Sequence, residues 1–236
     1  MTTLNQTDVK SPLANGVGVG DAGVGAGSDG CPAGVDTFSS IDPVLGEMVA
    51  ELPSTSEGYL SATQADFLYH FVLLTRPRLV VETGFNVGHS ALVILRAMSR
   101  YGGGTLLSFD IGRHEGTAGG AALVKSRYED FHLFEGDTKE VLGPSLGQVL
   151  NRHPGATLDL AIVDGGHDMQ TCQADLMILE ALLAPGGYLW LDDFESLVCR
   201  CINVSIVGRE FARSRPNCMR FNTADHRGMM IFQKGF

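Results

Sequence analysis

The sequence predicts an α/β fold: a doubly wound, mostly parallel sheet with an antiparallel hairpin at its carboxyl-terminal edge. Two observations predict it. From residue 79 onward, short apolar runs alternate with helical stretches, the pattern of parallel strands joined by crossover helices. The last two apolar runs, 219–222 and 229–233, flank Thr223-Ala224-Asp225-His226-Arg227-Gly228, which reads as a hairpin turn. At 236 residues, the chain can build one sizeable core and is too short for two full domains. Crossovers are expected to be right-handed.

In chain order, residues 1–36 are rich in Gly, Ser, Asp and Ala and bury too little to offset their ordering entropy, so a flexible tail is expected. The alternative is a lid in which Val17, Val19 and Val24 pack. Residues 37–78 read as helices, placed either as a lid or as a dimer interface. Asp42 caps a helix whose first residue is Pro43, and Ser61-Ala62-Thr63-Gln64 fits a capping box opening the next. Leu79, Val80 and Val81 then form the first strand after a turn at Pro77.

The alternation continues with a helix over 91–101, ended by Gly102-Gly103-Gly104, and a strand over 105–110. A helix over 118–128 and a strand over 131–134 follow, then a helix over 138–152 with Pro144 as its weak point. A strand over 158–164 and a helix over 169–183 precede a turn at Ala184-Pro185-Gly186-Gly187. A strand over 188–192 and a last helix over 195–213 lead into the hairpin.

The net charge of -10 argues against a nucleic-acid partner. No apolar run approaches the roughly 18 residues of a membrane span, and no secretory signal pattern opens the chain, so a cytoplasmic protein is expected. Five cysteines, Cys31, Cys172, Cys199, Cys201 and Cys218, are an odd set for a disulfide framework, and reduced thiols are the expectation. Cys199-Arg200-Cys201 lacks the C-x-x-C spacing and the second pair of a zinc site.

Ligands of an open parallel sheet bind outside the carboxyl ends of its strands. There this chain places Glu82 and Gly84, Asp110, Gly136-Asp137, Asp164, and Asp192-Asp193. Each alone reads as a turn or cap residue; the series is harder to dismiss. In VVETGFNVGHS, residues 80–90, Gly84 and Gly88 flank Asn86 where strand turns into helix, suiting a ligand carboxylate at the helix start. Asp110, at the end of the next strand, suits ribose hydroxyls. Asn86 and His89 occupy the second and third glycine places of the dinucleotide fingerprint, so a nucleoside with an amino-acid tail fits better than a pyrophosphate.

With these motifs the chain resembles the class I S-adenosylmethionine-dependent methyltransferases. The resemblance rests on ETGFNVG at 82–88, FD at Phe109-Asp110, EGD at 135–137 and LLAPGGYLWLDD at 182–193, and it covers about residues 79–236. It implies a Rossmann-like sheet of seven strands with the last inserted antiparallel. It further implies that Gly84, Asn86, Gly88 and Ser90 hold the methionyl carboxylate and Glu82 the ammonium. Asp110 would take the ribose, Ile111 an adenine face, and Gly136, Asp137 and Thr138 the adenine edge.

Within that superfamily, IVDGGHD at 162–168 with LDDF at 191–194 resembles the cation-dependent small-molecule O-methyltransferases. This implies that Asp164, Asp192 and Asp193 share a divalent cation, Mg²⁺ by the all-oxygen donor set. Asp164 would also border the cofactor and act in catalysis. His167 stands where catechol-type relatives carry a lysine base, and a histidine can accept a proton near neutral pH; His89 and His114 are runners-up. The expected activity is O-methylation of a small-molecule hydroxyl, on a phenol, a sugar or a secondary metabolite. The alternatives are a metal-independent N-, C- or O-methyltransferase, and a nucleoside-binding protein or pericyclase or lyase on the same scaffold.

Overall fold

The computed structural model describes residues 35–55 and 60–235. The glycine-rich stretch expected to be a tail or lid lies outside the described residues over 1–34. Three helices come first: α1 (Val35–Ile41), α2 (Pro43–Ala50) and α3 (Ala62–Thr75). The first of them was not foreseen. Asp42 caps α2 through Val44 and Leu45 N–H groups, and its other oxygen accepts from Tyr69 Oη at 3.0 Å. That same oxygen pairs with Arg96 Nε at 3.0 Å, so one carboxylate ties together three helices. Ser61 and Gln64 close the expected capping box on α3.

The sheet and its helices follow as β1 (Leu79–Thr83), α4 (His89–Ser99), β2 (Thr105–Asp110), α5 (Thr117–Arg127), β3 (Phe131–Glu135), α6 (Thr138–Arg152), β4 (Leu158–Val163), α7 (Met169–Leu182), β5 (Leu183–Leu191), α8 (Ile202–Arg213), β6 (Cys218–Asn222) and β7 (Gly228–Gln233). Strand order is β3-β2-β1-β4-β5-β7-β6. The first five strands run parallel, and β7 is inserted antiparallel between β5 and β6. The predicted fold class is therefore the observed one: Rossmann-like, doubly wound, with an antiparallel carboxyl-terminal hairpin.

Side-chain alternation along the strands splits the core in two. Val80, Leu106, Leu160 and Ile162 face the layer containing α2, α3 and α4, while Leu79, Val81, Leu107 and Ala161 face the layer containing α6, α7 and α8. In α4, Leu92, Val93, Ile94 and Met98 are all buried; at about 1.5–3 kcal/mol each, they anchor the helix whose start borders the site.

Three local expectations are corrected. The last helix was expected over 195–213 but begins at Ile202. Positive φ at Asp193, Glu195 and Arg200 breaks the helical path, and Leu197 N–H donates to His226 O, tying this segment to the hairpin. The Pro-Gly-Gly turn is part of an irregular β5 beginning at Leu183, with Gly186 N–H donating to Lys234 O. Proline and glycine marked a turn, and the sheet absorbs it as a register shift. Cys199 and Cys201 form a disulfide instead of remaining reduced, while Cys172 and Cys218 are free. Their proximity depends on the loop that replaces the expected helix. Helix α6 runs unbroken through Pro144, held by buried Leu142 and Leu146 on either side. Among the described residues, no helix is long and apolar enough to cross a membrane.

Candidate active site

A cavity of about 750 Å³ opens at the carboxyl ends of the parallel strands, beside the switch point where β1 lies between β2 and β4. This is where an open α/β sheet leaves a crevice. The volume is within the range of small-molecule sites.

The β1–α4 loop forms one wall. Gly84 has φ +89, and a Cβ there would stand 2.0 Å from the Asp164 carbonyl oxygen, so only glycine lets the loop cross the end of β4. Asn86 (φ 51) and Gly88 (φ 100) complete the turn into α4, whose first N–H groups lack intrahelical partners by construction. Asp110 ends β2 and fixes this loop: its Oδ2 accepts from Phe85 N–H (2.8 Å) and Asn86 N–H (2.9 Å), and its Oδ1 from Gly112 N–H (2.7 Å).

Glu82 lies behind that wall, 1 % exposed, with its carboxylate accepting from Ser108 Oγ (2.5 Å) and Ser90 Oγ (2.8 Å). Burial pushes its pKa up to about 7 against the pull of the two serines, and the charges of Asp164 and Asp110 add to the rise. Ser90 thus lines the cavity while donating to Glu82, whereas Glu82, expected to meet the ammonium, does not line it. Ile111, half exposed, lines the cavity with Gly136, Asp137 and Thr138. Asp137 also caps α6 through Lys139 N–H and pairs with Lys139 Nζ at 3.1 Å. The Lys139 contacts hold its carboxyl below the ordinary range.

The same cavity has an acidic corner. Ligand atoms of Asp164, Asp192 and Asp193, from the ends of β4 and β5, lie within 4.8 Å of one another. Gln64 Nε2, from α3, donates to both Asp192 oxygens at 3.0 Å, and Trp190 Nε1 donates at 3.3 Å. Asp193 Oδ1 is buried without a hydrogen-bond partner. Burial, then the neighbouring Asp164 and Asp193 charges, push the Asp192 carboxyl well above its ordinary value. The Asp193 carboxyl is pushed to about 6 by burial and Asp164, with His167 and Arg227 opposing. Concentrated, desolvated carboxylates with an orphaned oxygen fit a hard divalent cation.

His167 stands over this corner. Its Nε2 lies 3.4 Å from Asp193 Oδ2 and 4.0 Å from Asp164 Oδ1, and the Asp164 and Asp193 carboxylates raise its pKa against partial desolvation. The residues singled out from the sequence thus gather around one cavity, except that Glu82 backs it and Gly88, packed against Phe85 and Val124, does not line it. Gln64 and Arg227 were missed. Gln64 was visible only as a cap residue, and Arg227 only as part of a hairpin turn; nothing local in the sequence foretells that α3 and the hairpin meet the ends of β4 and β5.

The profile of a family described as "Methyltransferase domain" matches residues 81–194. A rhamnosyl O-methyltransferase of Mycobacterium leprae is 31% identical over 119 residues, which cover 50% of this chain and 48% of that protein. The match thus spans about half the length of that relative. Among solved structures, the O-methyltransferase TomG of Streptomyces achromogenes, involved in tomaymycin synthesis and solved with S-adenosylmethionine, superposes with TM-score 0.60. It is 17% identical, over 85% of this chain and 90% of that one. CalS11, a TDP-rhamnose 3'-O-methyltransferase of calicheamicin biosynthesis, superposes with TM-score 0.59 at 16% identity, over 85% of this chain and 94% of that one.

Proposed function

We propose that the protein, whose residues 81–194 match the family described as "Methyltransferase domain" and lie within a Rossmann-like sheet, is an S-adenosylmethionine-dependent O-methyltransferase assisted by a divalent cation. The acceptor we infer is a hydroxyl of a small molecule, with deoxyhexose hydroxyls the first class to test. The observation that carries the reading is the pairing, in one cavity, of the Asp110-clamped glycine loop with the three-carboxylate corner under His167. The rhamnosyl relative supports a sugar hydroxyl as the acceptor.

S-adenosylmethionine, when bound, supplies an electrophilic methyl group on sulfonium. The chain's own task is to hold that end against the β1–α4 loop, with Asp110 fixing the loop and Asp137 and Thr138 bounding the far end. A divalent cation, here Mg²⁺ by donor type, would be held by Asp164, Asp192 and Asp193 and would lower the pKa of an acceptor hydroxyl. Gln64 orients Asp192 by its double donation. His167 Nε2 would take the proton that the acceptor hydroxyl loses on methylation. Holding the acceptor in line is worth on the order of 7–11 kcal/mol, whereas a base contributes roughly 3–5 kcal/mol, so positioning outweighs proton transfer.

The test is formation of S-adenosylhomocysteine with a panel of phenolic and deoxysugar acceptors, before and after chelation. Turnover that disappears with chelator and returns with Mg²⁺ supports the full reading. Turnover unaffected by chelation would remove the cation and leave a metal-independent methyltransferase; binding of the nucleoside with no transfer to any acceptor would favour a non-methylating scaffold.

A further inference from the structure

The acidic corner has a neighbour of different chemistry. Beside His167 and Asp193, the loop before α8 brings in Cys199 and Cys201, and one ligand atom from each of these four residues lies within 4.8 Å of the others. Cys201 Sγ is 3.5 Å from His167 Nδ1 and 3.8 Å from Asp193 Oδ2. The sequence spoke against zinc because Cys-Arg-Cys has no second ligand pair; the fold supplies that pair from the ends of β4 and β5. His167 is exposed and both cysteines are partly exposed, so a metal ion can reach the site from solvent.

We propose that Cys199, Cys201, His167 and Asp193 form a redox-gated site for a soft divalent metal, Zn²⁺ above all, distinct from the all-carboxylate corner. The two sites share Asp193 and are separated by donor type. Two thiolates, an imidazole nitrogen and one carboxylate oxygen are a tetrahedral zinc set, whereas Asp164, Asp192 and Asp193 offer oxygen alone. In the disulfide form the sulfurs are spent on each other and the site cannot fill. A dithiol reductant opens it. Its thiolate attacks one sulfur, the Cys199–Cys201 bond breaks, two electrons and two protons leave two thiols, and the reductant becomes the disulfide. Zinc then displaces both thiol protons as two zinc–sulfur bonds form. At a Zn–S length of about 2.3 Å, tetrahedral thiolates stand about 3.8 Å apart, well within what Cα atoms 5.4 Å apart allow.

Filling this site takes His167 and Asp193 away from the cavity. The consequence for catalysis rests on the proposed function; binding does not. A zinc-loaded, reduced enzyme is therefore inactive, and oxidation to the disulfide frees His167.

The experiment uses the full chain with Co²⁺ as a spectroscopic stand-in for zinc. Metal-free protein is titrated in a reduced and an oxidised preparation, with Cys199→Ser and Cys201→Ser in parallel. The reduced wild type is expected to develop a thiolate-to-cobalt charge-transfer band that Zn²⁺ abolishes at one equivalent and excess Mg²⁺ leaves in place. The oxidised protein and both variants should lack the band. Absence of the band in reduced wild type, its persistence in either variant, or its appearance in oxidised protein overturns the proposal, and the wild-type redox arms decide even where a variant folds poorly. In the activity arm, one equivalent of Zn²⁺ should inhibit the reduced wild type and spare Cys201→Ser. A cobalt band in a protein without transferase activity would leave the site standing and the functional reading fallen; activity without a band would do the reverse.

Discussion

His167 and Asp175 differ in what surrounds a titratable side chain, and each carries its own expectation. His167 Nε2 faces two carboxylates at the rim of the cavity, after β4 and not on the β1–α4 loop that would hold the nucleoside. His167→Ala should therefore lower kcat by about 10²–10⁴-fold while leaving S-adenosylhomocysteine affinity unchanged. Steady-state kinetics beside calorimetry checks the split, and an unchanged kcat would remove His167 from the mechanism. Asp175, on α7, is fully buried, and neither of its oxygens has a hydrogen-bond partner. Burial pushes its pKa from 3.8 to about 6; the Thr138 and Thr83 hydroxyls favour its ionised form but close no hydrogen bond with it. The native state therefore holds this proton more tightly than the unfolded chain. Its contribution to stability is complete below pH 3.8 and is lost as pH rises to about 6, amounting to roughly 3 kcal/mol above that window. Asp175→Asn should stabilise the protein at pH 7.5 by up to about 3 kcal/mol and do little near pH 4. Urea denaturation at the two values tests this, and equal effects at both would refute it.

At the scale of elements, the site depends on the amino-terminal helices as much as on the sheet. Gln64 serves two structures at once: its Oε1 accepts from Ser61 N–H to close the α3 cap, and its Nε2 holds Asp192. Ser61→Ala removes the cap and the hydroxyl's contact with Asp225 and should cost about 1–2 kcal/mol. Gln64→Ala also leaves the buried Asp192 carboxyl with Trp190 Nε1 in place of its two closer Gln64 contacts and should cost about 2–4 kcal/mol, so equilibrium unfolding of the two variants should rank them in that order. Equal costs would mean that Asp192 does not depend on Gln64. The cap itself was legible in the sequence, because Ser61 and Gln64 obey a local spacing rule. The bond to Asp192 was not, because it joins residues whose encounter is decided by how α3 packs on the sheet. The loop over 195–201 was misread for a related reason. Its residues are helix-compatible in composition, but the bond from Leu197 to His226 and the left-handed turns at Glu195 and Arg200 are set by the hairpin.

For the whole molecule, periodicity carried the fold: apolar runs too short for helices, alternating with amphipathic stretches, leave a parallel sheet as the economical solution, and the terminal pair of runs announces the hairpin. The cavity followed from that topology, since ligand-binding residues of such sheets gather at the strand ends. What chain order could not convey was which strand ends face one another, and so the neighbourhood of Arg227, Gln64 and the Cys199–Cys201 pair had to come from the structure. The central claim is that the β1–α4 loop, fixed by Asp110, is the methionine end of an S-adenosylmethionine site. Calorimetric titration of S-adenosylhomocysteine into wild type and Asp110→Ala tests it most directly. One nucleoside per chain in the wild type, with affinity lost by at least about tenfold in a variant that frees the Phe85 and Asn86 N–H groups, is the expected result. No binding to folded wild type, or equal binding by the two proteins, would contradict it.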